Sequence, residues 1–422
     1  MVIRVYRLTQ IGSVFLVIIG ASLSAASSLS TSTSHASSCP CKNPQWCEPI
    51  AGPPVRDSEV FGFYGSWVTT QRPVPITESE TAQIGDEMNW THVTTVAWAD
   101  RDEIMCLAHS HGARAVLGAP PIHLDELNTT SARNKWIQDA LSLVQTSHRD
   151  GLVFDYEDPQ PKDSLPGHIY ATLIAETRDA FHAVNPSYQI STCVPWSPDG
   201  IDGRVYPYLD IAAGSDVLYV MDYDTRSQIF DQCIAGANAP LPGMIRGLQR
   251  WFDLGVDPSK LVLGVPWYGY RYPCLNGTAP NAVYCPIAEV PFRGVNCSDA
   301  AGREFMYSDI QRVFKSTDSA VTGGIRRDSS TGSLFFNAVG DNGGENVVYQ
   351  YWFDDPISLA AKYKWARKHN LRGVGPYVFQ NLDPIGAPED ALAMWCTFDV
   401  FFDLVTSSSS TMIATTIDIE LK

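Results

Sequence analysis

The chain has 422 residues, 45% of them hydrophobic and 18% charged, with 46 acidic against 30 basic side chains and a net charge of -16. That length holds one large domain or two ordinary ones, with ample apolar material for a core. The acidic excess argues against nucleic acid and anionic membrane surfaces as partners and suits a neutral polar ligand.

Arg4 and Arg7 precede an apolar run from Ile11 to about Leu23, followed by the small residues Ala25 and Ala26. This order predicts a cleaved secretory signal over residues 1–25, then a Ser/Thr-rich spacer over 26–38. The run is too short and too broken by Gly and Ser to span a membrane. Ten cysteines in an exported chain read as disulfides. Cys39, Cys41 and Cys47 cluster early, and Cys274, Cys285 and Cys297 cluster late. A zinc site at the first trio lacks a paired His cluster. Cys106 and Cys193 lie inside apolar runs and read as buried free thiols. Asn89, Asn128, Asn276 and Asn296 head glycosylation sequons.

The elements alternate. A strand over 59–66 is followed by a second over 92–99, a helix from Asp102 closed by Gly112, and a third strand over 113–117. An amphipathic helix over 134–147 leads into Asp150–Glu157, a strand that ends in acid. Next come a helix over 170–183, strands over 188–195 and 216–223, a helix over 244–254 and a strand over 261–268. A helix over 356–369 and a strand over 373–379 complete the pattern. Repeated strand–helix units imply parallel strands with right-handed crossovers. The expected fold is α/β, a (β/α)8 TIM barrel with an insertion over 271–354 after the seventh strand. A doubly wound sheet is the alternative, but no Gly-rich phosphate loop follows any strand. The insertion contains a predicted hairpin around residues 340–344. The catalytic domain spans 39–398, and a Ser/Thr tail over 399–422 reads as disordered.

Along Asp150–Glu157, alternation puts Gly151, Val153, Asp155 and Glu157 on one face, with Leu152, Phe154 and Tyr156 on the other. The two carboxylates stand about 7 Å apart. Charges at the tip of a core strand need a partner or a purpose; a solvated acidic loop is the alternative. The sixth strand ends Met221-Asp222-Tyr223-Asp224. Other tips carry Phe63, Tyr64 and Trp67, then Trp98, Trp196, Trp267 and Tyr377, with no Lys or Arg among them. Barrel active sites sit at these ends. Aromatic faces suit the C–H faces of sugar rings, and paired carboxylates suit glycoside hydrolysis. Tyr64, Trp196 and Tyr377 are the aromatic candidates for sugar contact. His109 and His111 lie at a helix terminus, where cations favour the dipole. Ser197 has no nucleophile-elbow context.

Asp150–Glu157 resembles the Asp-Gly-x-Asp-x-Asp-x-Glu signature of glycoside hydrolase family 18, and Met221–Asp224 resembles its Met-x-Tyr-Asp. The Cys-x-Cys start and the segments 227–240, 261–270 and 290–303 resemble one branch of that family, the lysosomal chitobiases. The likeness spans roughly residues 39–397. It implies a retaining glycosidase on β-1,4 N-acetylglucosamine linkages, splitting the chitobiose core of N-linked oligosaccharides from the reducing end, in the lysosome or secreted, with no metal or organic cofactor and a monomeric chain. Family 18 departs from the two-carboxylate scheme because the substrate supplies the nucleophile. The resemblance casts Glu157 as general acid and base, Asp155 as partner of the substrate acetamide, Tyr223 as donor to its oxygen and Asp224 as a substrate-binding group. Alternatives are an endo-chitinase and a silent chitinase-like lectin. Two positions depart from the pattern. Val153 stands where the family carries a middle Asp, which leaves Asp155 expected to stay ionised, and Tyr377 stands where the sugar floor is usually tryptophan.

Overall fold

The computed structural model describes residues 38–65, 88–316, 320–342 and 345–404. The expected signal segment, the spacer up to residue 37, Trp67 and most of the expected tail lie outside the described residues.

Eight parallel strands close into a barrel: β1 (Glu59–Phe63), β2 (Thr95–Ala97), β3 (Arg114–Gly118), β4 (Gly151–Phe154), β5 (Gln189–Pro195), β6 (Val217–Met221), β7 (Leu261–Pro266) and, after the insertion, a strand over Gly373–Tyr377 that pairs with both β1 and β7. Alternation builds two apolar layers. Phe61, Phe63, Val116, Val153, Tyr219 and Val262 point into the barrel. Val60, Ala115, Leu152, Phe154, Leu218 and Leu263 point outward, under the helices. Burying both faces explains why these strands read as near-continuous apolar runs.

The helices are α1 (Asp102–Ser110), α2 (Thr130–Thr146), α3 (Leu165–Val184), α4 (Tyr208–Gly214) and α5 (Leu241–Leu254). Their starts are written in the sequence. The Ala132 N–H donates to Thr129 Oγ1 at 3.2 Å, and the Gly167 N–H to Ser164 Oγ at 3.2 Å. Gly255, at φ 102°, ends α5. The short helix α4 was not foreseen; its segment carries no sustained period.

The insertion starts earlier than expected. Trp267 separates β7 from β8 (Tyr268–Pro273), which joins β9 (Arg303–Met306), β10 (Ala320–Arg327), β11 (Leu334–Asn342) and β12 (Glu345–Phe353) in a five-stranded antiparallel sheet. The predicted hairpin is β11–β12, paired from Leu334↔Phe353 onward. Helix α6 (Tyr307–Lys315) lies within the insertion. Helix α7 (Pro356–Lys368), opened by an Asp355–Ser358 capping box, returns the chain to the last barrel strand, β13 (Gly373–Tyr377). Helix α8 (Pro388–Trp395) and helix α9 (Phe398–Phe402) follow, with Phe398 and Phe401 buried, so the ordered body runs past the expected start of the tail.

Four disulfides join Cys39–Cys47, Cys41–Cys106, Cys233–Cys297 and Cys274–Cys285. Cys106 is therefore bridged, not the free thiol expected; apolar neighbours alone do not separate a buried thiol from a buried half-cystine. Cys193 is free and buried.

Asp150, fully buried, accepts from the Ile50 N–H at 2.7 Å and the Ala115 N–H at 2.7 Å, and pairs with His109 Nε2 at 2.7 Å. It ties the N-terminal segment to β3 and β4, and gives His109 a structural role. Gly151 follows at φ 144°, where an added Cβ would lie 1.9 Å from the Gln189 carbonyl oxygen. Gly151→Ala is expected to cost on the order of 3 kcal/mol, read as a loss in thermal melting; an unchanged Tm would contradict this packing.

Candidate active site

A cavity of about 330 Å³ opens at the C-terminal mouth of the barrel, within the range of small-ligand sites. Glu157, Asp155, Tyr223, Asp224, Tyr377 and Trp196 all line it, with Phe63, Trp98 and Cys193. Tyr64 does not. Phe63 points into the barrel, so its neighbour Tyr64 turns outward and is buried in the helix-facing layer. The same parity takes Trp267 out, where it packs against Trp395 at 5.1 Å.

Beyond the end of β4 the alternation persists long enough to aim Asp155 inward, above the fully buried Val153. Asp155 is not simply ionised, contrary to the expectation from Val153. Burial first, then the charge of Glu157, push its pKa up to about 7, against the pull of Arg204 and a hydrogen bond from Cys193. Its Oδ1 is buried with no hydrogen-bond partner. Desolvation thus does what the absent middle Asp was expected to do.

Glu157 is half exposed and forms an ion pair with Arg204 Nη1. Arg204, itself 8% exposed, also donates to Asp202 Oδ2 at 3.3 Å. This cation was missed because it comes from the turn after β5, around Gly200 and Gly203 at positive φ, and not from a strand tip. The insertion contributes Tyr270, Phe292, Asp299 and Glu304 to the lining. Their long separation from the strand tips hides them in the sequence.

After β6, Asp222 turns away from the cavity, fully buried and pushed up to about 7 by desolvation. Tyr223 and Asp224 both face the cavity because Asp224 adopts φ 50° and breaks the alternation. Asn238 Oδ1 accepts from the Asp224 N–H at 2.6 Å and helps hold that turn. The Asp224 carboxylate accepts from the Tyr268 hydroxyl at 2.6 Å and the Tyr270 hydroxyl at 3.0 Å. Burial outweighs both bonds and raises its pKa to about 6. The rings of Tyr223 and Tyr377 stack at 5.2 Å and 27°, with Trp98 edge-on to Tyr377 at 5.8 Å. Burial holds the Tyr223 hydroxyl well above the usual phenol range, so it remains an O–H donor.

The site therefore joins a half-exposed carboxylate, a partly buried carboxyl near its midpoint at neutral pH, a phenol donor and an aromatic floor. Among the described residues, the cysteine trio Cys39, Cys41 and Cys47 has metal-ligand spacing, but all three sulfurs are in disulfides.

Asp155, Asp222, Asp224, Asp299 and Glu304 are all raised to about 6 or 7, first by burial. A carboxyl raised on folding contributes stability that is complete below its unfolded pKa of about 4 and is lost as pH rises through its folded value. The Tm at pH 5 is expected to exceed that at pH 8 by several degrees. Thermal melting that is flat over this range, or rises toward pH 8, would contradict it.

Comparisons with known proteins agree with this geometry. Residues 123–380 match the model described as glycosyl hydrolases family 18. The chain is 37% identical over 383 residues to a probable di-N-acetylchitobiase 2 of Dictyostelium discoideum, covering 89% of this chain and 93% of that protein. It is 36% identical over 362 residues to the di-N-acetylchitobiase of Homo sapiens, covering 85% and 87%. A solved group IV chitinase of Ostrinia furnacalis in complex with allosamidin shares the fold at a TM-score of 0.63 and 19% identity, covering 82% of this chain and 99% of that one. A plant class V chitinase mutant of Cycas revoluta in complex with (GlcNAc)3 does so at 0.61 and 19%, covering 81% and 100%. By its barrel, its acidic fourth-strand tip and its relatives, the chain belongs to glycoside hydrolase family 18 and is related to the di-N-acetylchitobiases.

Proposed function

We propose that this glycosidase splits the β-1,4 bond of N-acetylglucosamine pairs by substrate-assisted retention, releasing one sugar from the reducing end of N-linked oligosaccharide cores. The observation that carries this reading is the convergence of Asp155, Tyr223 and Tyr377 on one floor with Glu157 at its rim. The sugar to be cleaved stacks on Tyr377. Its acetamide lies between Asp155, which accepts from the N–H, and Tyr223, which donates to the carbonyl oxygen. That oxygen attacks the anomeric carbon while the bond to the leaving sugar breaks. Glu157 gives its proton to the departing oxygen. The resulting oxazolinium ion is cationic, and the acidic walls of the cavity stabilise it. Glu157, now a carboxylate, takes a proton from water as that water attacks the anomeric carbon from the vacated face. Configuration is retained and the acetamide is restored.

Tyr377 covers less of the sugar than an indole would, which bears on affinity before chemistry. The greater stability expected at acid pH suits an acidic compartment of the secretory route, such as the lysosome, and no described helix is long and apolar enough to cross a membrane.

Incubation with free chitobiose-cored glycans is expected to release a single reducing-end N-acetylglucosamine, whereas internal cleavage of chitin polymer would overturn the specificity. Glu157→Gln is expected to lower kcat by ~10²–10⁴-fold; a fully active variant removes the catalytic assignment. Asp155 accepts from the acetamide once it has released its proton, so the acidic limb of kcat/KM is expected near pH 7. Arg204 pulls that pKa down, so Arg204→Gln should move the acidic limb of kcat/KM up by about one unit. A limb that stays put or moves down contradicts the coupling.

A further inference from the structure

We infer that a turn of the insertion, Phe292–Val295, is a fixed wall across the leaving-group side of Glu157 that restricts the departing group to one sugar. This rests on the reaction proposed above and explains its restriction to the reducing end. The leaving sugar is attached to the oxygen that Glu157 protonates, while the cleaved sugar lies over Tyr377. The leaving sugar therefore projects past Glu157, away from Tyr377, toward the groups on the far side of the acid.

Those groups belong to the wall and its anchors. Phe292 and Val295 pair across the turn through main-chain hydrogen bonds of 3.0 and 3.1 Å, with Arg293 and Gly294 at positive φ. Arg293 Nη1 donates to the Asp202 carbonyl at 2.6 Å, and Nη2 to the carbonyl of Glu157 itself at 3.4 Å. Gln228 Nε2 donates to the Arg293 carbonyl at 2.8 Å. The turn is thus fastened to the loops after β4, β5 and β6 together. The Cys233–Cys297 disulfide and the Ile229 N–H, which donates to the Cys297 carbonyl at 2.8 Å, hold its base.

The turn also has two faces. Phe292 and Ser227 line the catalytic cavity, while Gly294, Val295 and Ile229 line a separate outer depression of about 760 Å³. A longer leaving group would have to pass from one space to the other, and the turn stands between them. Arg204 and Asp202 on the inner side offer donors and acceptors for the hydroxyls of one terminal sugar.

The test uses the pentamer of N-acetylglucosamine labelled at its reducing end, with wild type, Phe292→Ala and Arg293→Ala. Phe292→Ala removes none of the turn's hydrogen bonds and guards against a misfolded Arg293 variant. Wild type is expected to release labelled monosaccharide. Each variant is expected to raise labelled di- and trisaccharide at least tenfold over wild type. Variants with a wild-type Tm that still release monosaccharide alone, or that lose all hydrolysis, overturn the wall. Internal cleavage by wild type would instead sink the reducing-end reading on which the wall rests.

Discussion

The site depends on a carboxyl drawn partly out of water, with one oxygen fully buried. Asp155 sits at the end of β4 with Val153 beneath it and its Oδ1 without a partner. A buried carboxylate in that position is costly unless it is paired or neutralised. The protein leaves it near its midpoint, with Glu157 raising its pKa and Arg204 lowering it. That balance makes the carboxyl responsive to whatever enters the cavity. A substrate acetamide presents an N–H donor and, during the reaction, a developing positive charge; both favour the ionised form. The closed barrel supplies the other requirement, because strands of fixed parity aim Tyr223 and Tyr377 at the same space.

Much of this was legible in the chain. Strand–helix alternation gave the barrel, since strands buried on both faces read as apolar runs between amphipathic helices. The parity of Asp150–Glu157 gave the inward placement of Asp155, and the strand-tip rule gave Tyr223, Asp224, Tyr377 and Trp196. The same parity argues against Tyr64, which follows the inward-facing Phe63. Counting aromatics at a tip without assigning their faces put it in the wrong layer.

What the sequence hid was non-local. Arg204 and Asp202 come from a left-handed turn whose position depends on tertiary packing, and Phe292, Asp299 and Glu304 reach the cavity from an insertion more than a hundred residues after Glu157. Disulfide partners such as Cys41 and Cys106 are joined only once α1 packs beside the N-terminal segment. The ionisation of Asp155 was misjudged for a related reason. Adding and removing neighbouring charges is visible in a motif, but the depth of burial is not, and here burial is the larger effect.

In the proposed reaction the nucleophile belongs to the substrate, and Asp155 and Tyr223 serve it. The most direct test follows kcat/KM across substrates whose acetamide is replaced by mono-, di- and trifluoroacetamide, which progressively weakens the attacking oxygen. A steep, monotonic loss of rate with each fluorine is expected, while substrate affinity changes little. A rate independent of fluorination would show that the acetamide takes no part in bond making, and would contradict substrate assistance.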